Sequence, residues 1–565
     1  MIYHKSPISG VSVFSDEYVS TAGYDNQVIL WDAKTGDAIA RGWHDHLANQ
    51  CAFSKCGKFL VSAGSDYSAR IWTVPEMKLH AVCNGHQDDV EMAEFHPTHP
   101  FVATCSRDKE IRIFDIYGTL LRKITGHCND VIAISWLGDS MQLASSSDDG
   151  TVKIWNADNG DLIRDINFGG IETDTIAFSP SGVIFAGNDA GEIISINGDE
   201  NLSTNAHEAG IKRIAYSKEY ELLVSLSYDR TIKLWNASAD GMLTLISSTD
   251  IPPVVWPRSV SIADQNRLVC GTFGTSYATY YINEDKWDAS SVKPTFGINS
   301  LAEINGSIYS VGDAGFVYKD KEKIAAFGSL CNFLVADENI ILTGGQAGEI
   351  LSVKNQEMIH QHRSPLNCGT FYKQDEKRFF LIGTYTGEVI LLEAIGNDRL
   401  DYHSTHKILD NAIKGICVFD DYLFAVDANG AAAIISIKDF DNIKLIESAH
   451  RKIANGCTSV NGIGVATVSR DMSLRLIDSE GNIEEFPSPH RHSIKCVAAS
   501  KDGHYIVTGS YHGSCAVFDV HARRWLNKKR LTTAGISSLT YSKHFRCFLA
   551  SSYDGQVYRL EIPNY

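Results

Sequence analysis

A chain of 565 residues is too long for one ordinary hydrophobic core and sets the expectation of at least two domains. Its composition, 44% hydrophobic and 21% charged with 45 Gly against 13 Pro, excludes disordered and collagen-like classes. A formal charge of −17 argues against a sequence-blind grip on nucleic acid or an anionic membrane, because both need a concentrated basic surface.

The chain opens on MIYHKSPISG, with neither a basic n-region nor an apolar h-region, so no secretory signal is expected. No run approaches the roughly 18 apolar residues that span a bilayer. The 13 cysteines are scattered, and several, such as Cys51, Cys105, Cys270 and Cys417, sit inside apolar strand patterns. Reduced, mostly buried thiols in a cytoplasmic protein are the expectation.

From residue 19 onward, short apolar runs recur with a period of about 40 residues. The clearest are VSTAGYDNQVILWD, LVSAGSDYSARIWT, VATCSRDKEIRIFD, LASSSDDGTVKIWN and LVSLSYDRTIKLWN, which carry their aromatics at Trp31, Trp72, Phe114, Trp155 and Trp235. Upstream of each aromatic lie a hydroxyl residue (Thr21, Ser62, Thr104, Ser145, Ser225) and an Asp (Asp25, Asp66, Asp108, Asp149, Asp229) at fixed offsets. A His precedes several units in one register: His44, His86, His127 and His207. Such runs build four-stranded antiparallel sheets that cannot bury their faces alone, and radial stacking solves that problem. The Asp suits a tight turn, and the His reaches from the preceding loop toward Asp, hydroxyl and aromatic.

Weaker units continue the count: IAFSPSGVIFAGNDAGEIISI near 170–197, a seventh over 258–282, then degenerate repeats from about 288. The pattern sharpens again in VATVSRDMSLRLID and YIVTGSYHGSCAVFD and ends with FLASSYDGQVYRLEI. These Asp-His-Ser/Thr-Trp sets resemble the WD40-repeat family over the whole chain. The resemblance implies an all-β fold of two tandem seven-bladed β-propellers, the first over 4–287 and the second, degenerate, over 288–565. The last unit stops after its third strand, so residues 1–3 are expected to supply the strand that completes the final blade.

No familiar catalytic signature appears: no P-loop, GxSxG elbow, HExxH or CxxC zinc pattern. Gly344–Glu349 (GGQAGE) joins antiparallel strands and opens no helix, so it is a turn rather than a phosphate cradle. Some histidines exceed what the repeat needs. His46 follows His44, His360 and His362 form one His-x-His pair, His490 and His492 another, and His512 replaces a turn Asp near His450 and Asp471. Imidazoles and a carboxylate meeting at one channel mouth would suit a divalent transition metal such as zinc, iron or manganese. In the first ring, the loops His86–Glu91, Ser106–Glu110 and Ser146–Gly150 form an acidic rim suited to a basic peptide or protein.

Two functions follow as expectations. One is a non-catalytic scaffold with protein partners in a cytosolic biosynthetic or assembly system, the role that the WD40 resemblance implies. The other starts from SPISGVSVF…STAGYDNQVILWD and HDHLANQCAFS, which are similar to WD-repeat proteins of toxoflavin (azapteridine) biosynthesis clusters. That likeness implies a pathway role with a small heterocyclic molecule, the histidine-rich face being its natural site. Neither nucleic acid nor membrane is an expected partner.

Overall fold

The computed structural model describes residues 2–374, 377–396 and 399–562. Among these residues every regular element is a β-strand. Thirteen antiparallel sheets have four consecutive strands and a fourteenth has three. No helix among the described residues is long and apolar enough to cross a membrane.

The chain forms two compact units, Met1–Thr295 and Phe296–Tyr565. The first extends past the expected limit of 287 because residues 288–295 are tied back to the seventh sheet. Thr275 N–H donates to Lys293 O (3.0 Å), and Thr295 Oγ1 donates to Phe273 O (3.2 Å).

In the first unit the leading strand of each sheet packs on that of the next. The series runs from Ile8–Phe14 through Ala48–Phe53 and Val90–Phe95 to Val255–Ile262, which returns to Ile8–Phe14. The result is a ring of seven blades, here numbered 1 to 7. The second unit closes likewise, from Ile298–Ile304 round to Ile536–Ser542, giving blades 8 to 14. Middle strands such as Phe59–Gly64 are covered on both faces by neighbouring blades, so small and apolar residues fill them. Outer strands such as Leu120–Thr125 leave most of their residues exposed and carry Lys and Arg.

Among the described residues, Ile2 and Tyr3 add no strand to the final blade. Its described strands are Ile536–Ser542, Cys547–Ser552 and Val557–Leu560, and Met1 lies outside the described residues. Tyr3 O instead accepts from Gln27 Nε2 (3.2 Å), and His4 N–H donates to Thr275 O (3.0 Å). The physical reason is His4, which fills the His slot of blade 1 and fixes its neighbours there. Among the described residues no strand is exchanged across the seam of the first ring. There, Val11 N–H donates to Ser259 Oγ (2.8 Å) and Val13 N–H to Ser261 Oγ (3.2 Å).

Most inner strands carry a β-bulge near their first residue, which leaves one extra residue out of register. At several of these positions the bulged side chain clasps the next blade. Ser9 Oγ donates to Ala48 O (2.7 Å), Asn49 Nδ2 to Val90 O (2.9 Å) and Asn332 Nδ2 to Leu366 O (2.8 Å). Asn367 does the same to Ile413 O (2.7 Å) and Asn455 to Ile494 O (2.6 Å). In blades 3, 5 and 6 the bulge holds Glu91, Asp174 and Lys212 instead.

Candidate functional site

In blade 2, His44 Nδ1 donates to Asp66 (3.0 Å), while Ser62 Oγ lies 2.7 Å from His44 Nε2 and 2.8 Å from Trp72 Nε1. A carboxylate only accepts, so Nδ1 carries the proton and Nε2 accepts from Ser62, whose oxygen takes the indole N–H. His127, Asp149, Ser145 and Trp155 repeat this network, as do His207, Asp229, Ser225 and Trp235. Blade 3 joins His86, Asp108 and Thr104 with Phe114 in the aromatic place. Asp25 pairs with His4 (2.9 Å), completing a set with Thr21 and Trp31. The amide after each His also donates to the carboxylate: Asp45, Gln87 and Cys128 at 2.9 Å and Glu208 at 3.0 Å. Burial alone would raise the Asp229 pKa, but His207, Thr231 and the Glu208 amide overcome it and hold it at about 2.

The histidines proposed as metal ligands are dispersed. His450 bonds Asp471 (3.2 Å) and Thr467 (2.9 Å), so this pair belongs to a blade-locking network of blade 12. His490 bonds Thr508 (2.8 Å), whereas His492 stacks on His512 with ring centroids 4.4 Å apart. His360 stacks on Tyr402 at 4.9 Å, and His362 meets Glu388 at 3.2 Å. His46 is buried ahead of the inner strand of blade 2. Among the described residues no three His, Cys, Asp or Glu side chains converge as a metal ion requires. The repeat's own need for His and Asp between blades absorbs several of them.

The first ring concentrates charge at the mouth formed by its loops and bulges. Glu91, on blade 3, accepts from Arg107 Nε (2.5 Å) and from Arg258 Nη2 (3.2 Å). Arg258 belongs to blade 7, which does not adjoin blade 3, so this pair spans the ring. Arg107 also reaches Asp130 (2.7 Å), and Lys212 joins Asp174 and Asp189. The Arg258 guanidinium lies 5.4 Å over Trp256 and 5.9 Å over Tyr24.

Acid exceeds base here: Glu91, Asp130, Asp148, Glu172, Asp174 and Asp189 lie among Arg107, Lys212 and Arg258, with Glu94 and Arg213 beside them. Burial, then repulsion from Asp189 and Asp174, pushes Glu172 up to about 8. Burial, opposed by Lys212 and assisted by Asp174, puts Asp189 at about 6. Asp148 rises well above the carboxylate range through burial and then Glu172 and Asp174, and its buried Oδ1 has no hydrogen-bond partner. The arrangement can therefore exchange protons for an incoming cation. The three acidic loops noted in the sequence supply Glu91, Arg107 and Asp148. The bulge residues Asp174 and Lys212 were not legible, because register irregularity leaves no local sequence mark.

The family model described as WD domain, G-beta repeat matches residues 41–73, 77–115, 118–156, 199–236 and 483–519. The chain is 22% identical over 269 residues to the transcriptional corepressor LEUNIG_HOMOLOG of Arabidopsis thaliana, covering 39% of this chain and 34% of that protein. It is 28% identical to the nuclear distribution protein nudF of Aspergillus niger over 31% of this chain and 46% of that protein. A guanine nucleotide-binding protein subunit beta-like protein of Encephalitozoon cuniculi is 25% identical over 47% of this chain and 91% of its own length. The chain thus spans about a third to a half of the first two relatives, and most of the third.

Proposed function

We propose, from the premise that this chain is a WD40-repeat protein built as two seven-bladed β-propellers, that it is an interaction scaffold whose first ring holds a cationic segment of a protein partner. The observation that carries this reading is the excess of buried carboxyl groups at the first mouth, with Asp148 Oδ1 left unpaired. Each such group favours its neutral form until a positive charge arrives. Relatives named as a corepressor and a G-protein β-like subunit support an interaction role. Thirteen free thiols support a reducing, cytosolic setting and a place in an assembly or biosynthetic system there. The azapteridine likeness of the N-terminal run gains no support from a metal site, because its histidines stay apart.

Calorimetric titration with an N-acetylated tetralysine peptide tests the reading. Affinity should rise several-fold from pH 6 to pH 8, as Asp189 and Glu172 lose the protons that compete with the cation. It should fall steeply with salt and drop at least tenfold in Asp148→Asn/Glu172→Gln. Equal binding by wild type and this variant would remove the mouth from the proposal.

A further inference from the structure

Blade 13 keeps the donors of a turn carboxylate and lacks the carboxylate. In the six His–Asp networks among the described residues, the acid accepts from the His Nδ1 and from the amide of the next residue. In four of them it also accepts from a hydroxyl two positions on: Ser68, Thr151, Thr231 and Ser473. Blade 13 retains the equivalents, His490, the Arg491 amide and Ser514, but His512 stands at the acid's position. The His512 ring turns onto His492, with planes 23° apart. His490 is only 6% exposed, and its Nδ1 has no hydrogen-bond partner. Its Nε2 remains on Thr508 (2.8 Å), which leaves Nδ1 aimed at the slot that a carboxylate fills elsewhere.

The surroundings are cationic within an acidic protein. Lys528 Nζ donates to Pro489 O (2.8 Å), directly beside His490. Lys528 and Arg530 both act electrostatically on His512, and they lie on the basic outer strand Arg524–Arg530. Where the six sibling blades use their own aspartate, this one presents donors and positive charge to something from outside.

We propose that blade 13 binds a small oxyanion, a phosphoryl or carboxylate group, between His490 Nδ1, the Arg491 amide and Ser514, with Lys528 as the balancing charge. An oxyanion there would satisfy the orphan donor and fix the Nδ1–H tautomer, as aspartate does in the sibling blades.

The test is a titration of the full chain with sodium phosphate, and separately with sodium acetate, against sodium chloride at matched ionic strength. Histidine ring NMR signals and thermal unfolding are both recorded. Saturable shifts of the His490 ring and a rising melting temperature are expected, and the anion that saturates at lower concentration identifies the group. His512→Asp, which restores the internal acid, should unfold at higher temperature without added anion and bind phosphate at least tenfold more weakly. Lys528→Met, on an exposed side chain, should weaken binding several-fold while leaving the fold intact. A wild-type response no larger than that to chloride, or an undiminished one in both variants, overturns the proposal.

Discussion

At the scale of single residues, the repeat uses histidine as a connector between a carboxylate that accepts and a hydroxyl that donates. Ser62 is fully buried, and its oxygen serves both His44 and Trp72. Ser62→Ala leaves two buried nitrogens to find other partners, so unfolding free energy should fall by about 1–3 kcal/mol, measured by denaturant titration. The acids of these networks also set an acid limit on stability. Asp229 is held at about 2 in the fold against an ordinary value of 3.8, so its contribution is present above that ordinary value. It is lost as pH falls through the folded value. Asp229→Asn should accordingly flatten the stability profile between pH 4 and 2, read as melting temperature against pH.

At the scale of elements, the turn and the bulge divide the work. The residue after each turn Asp takes a left-handed backbone: Asn26, Tyr67, Lys109, Arg230 and Met472 have φ between 64° and 70°, where blade 4 uses Gly150. Arg230 has a reason to be there, since its guanidinium donates to the carbonyls of Ile251, Pro252 and Val255. Met472 is partly exposed. Its side chain costs the turn about 1–2 kcal/mol of strain, against which glycine's extra backbone entropy is the smaller loss. Met472→Gly should therefore raise unfolding free energy by about 0.5–1 kcal/mol in thermal or denaturant melts. The bulge clasps predict the opposite sign: Asn367→Ala should cost about 1 kcal/mol by releasing the Ile413 carbonyl of the next blade. Turn and network residues were legible in the sequence because they recur at fixed offsets from an aromatic. The clasps were not, because Asn in an apolar run looks like an interruption until register shows it out of line. The excess histidines misled for a related reason. Sequence places His450 and Asp471 near other ligand types without saying that they already engage each other, with Thr467 on the second nitrogen of His450.

At the scale of the whole molecule, the count of fourteen units and the two-ring division could be read from period alone, whereas the seam and the charged mouth depend on contacts between blades distant in sequence. The mouth gives the first ring a pH response opposite to that of its networks. Glu172 rises from 4.5 to about 8, so its stabilising share is complete below the unfolded value and is lost as pH climbs through the folded one. Glu172→Gln should remove part of the decline in melting temperature between pH 5 and 8, a comparison that needs no ligand. The seam carries a different consequence. Each blade of the first ring is made from four strands in a row, and its two ends meet only through side-by-side contacts such as Val11 with Ser259. A ring without a shared strand has no privileged starting point along its circumference. Genetically, such a wheel is a string of interchangeable cassettes: whole blades can be duplicated, deleted or reordered at the DNA level without cutting through a sheet.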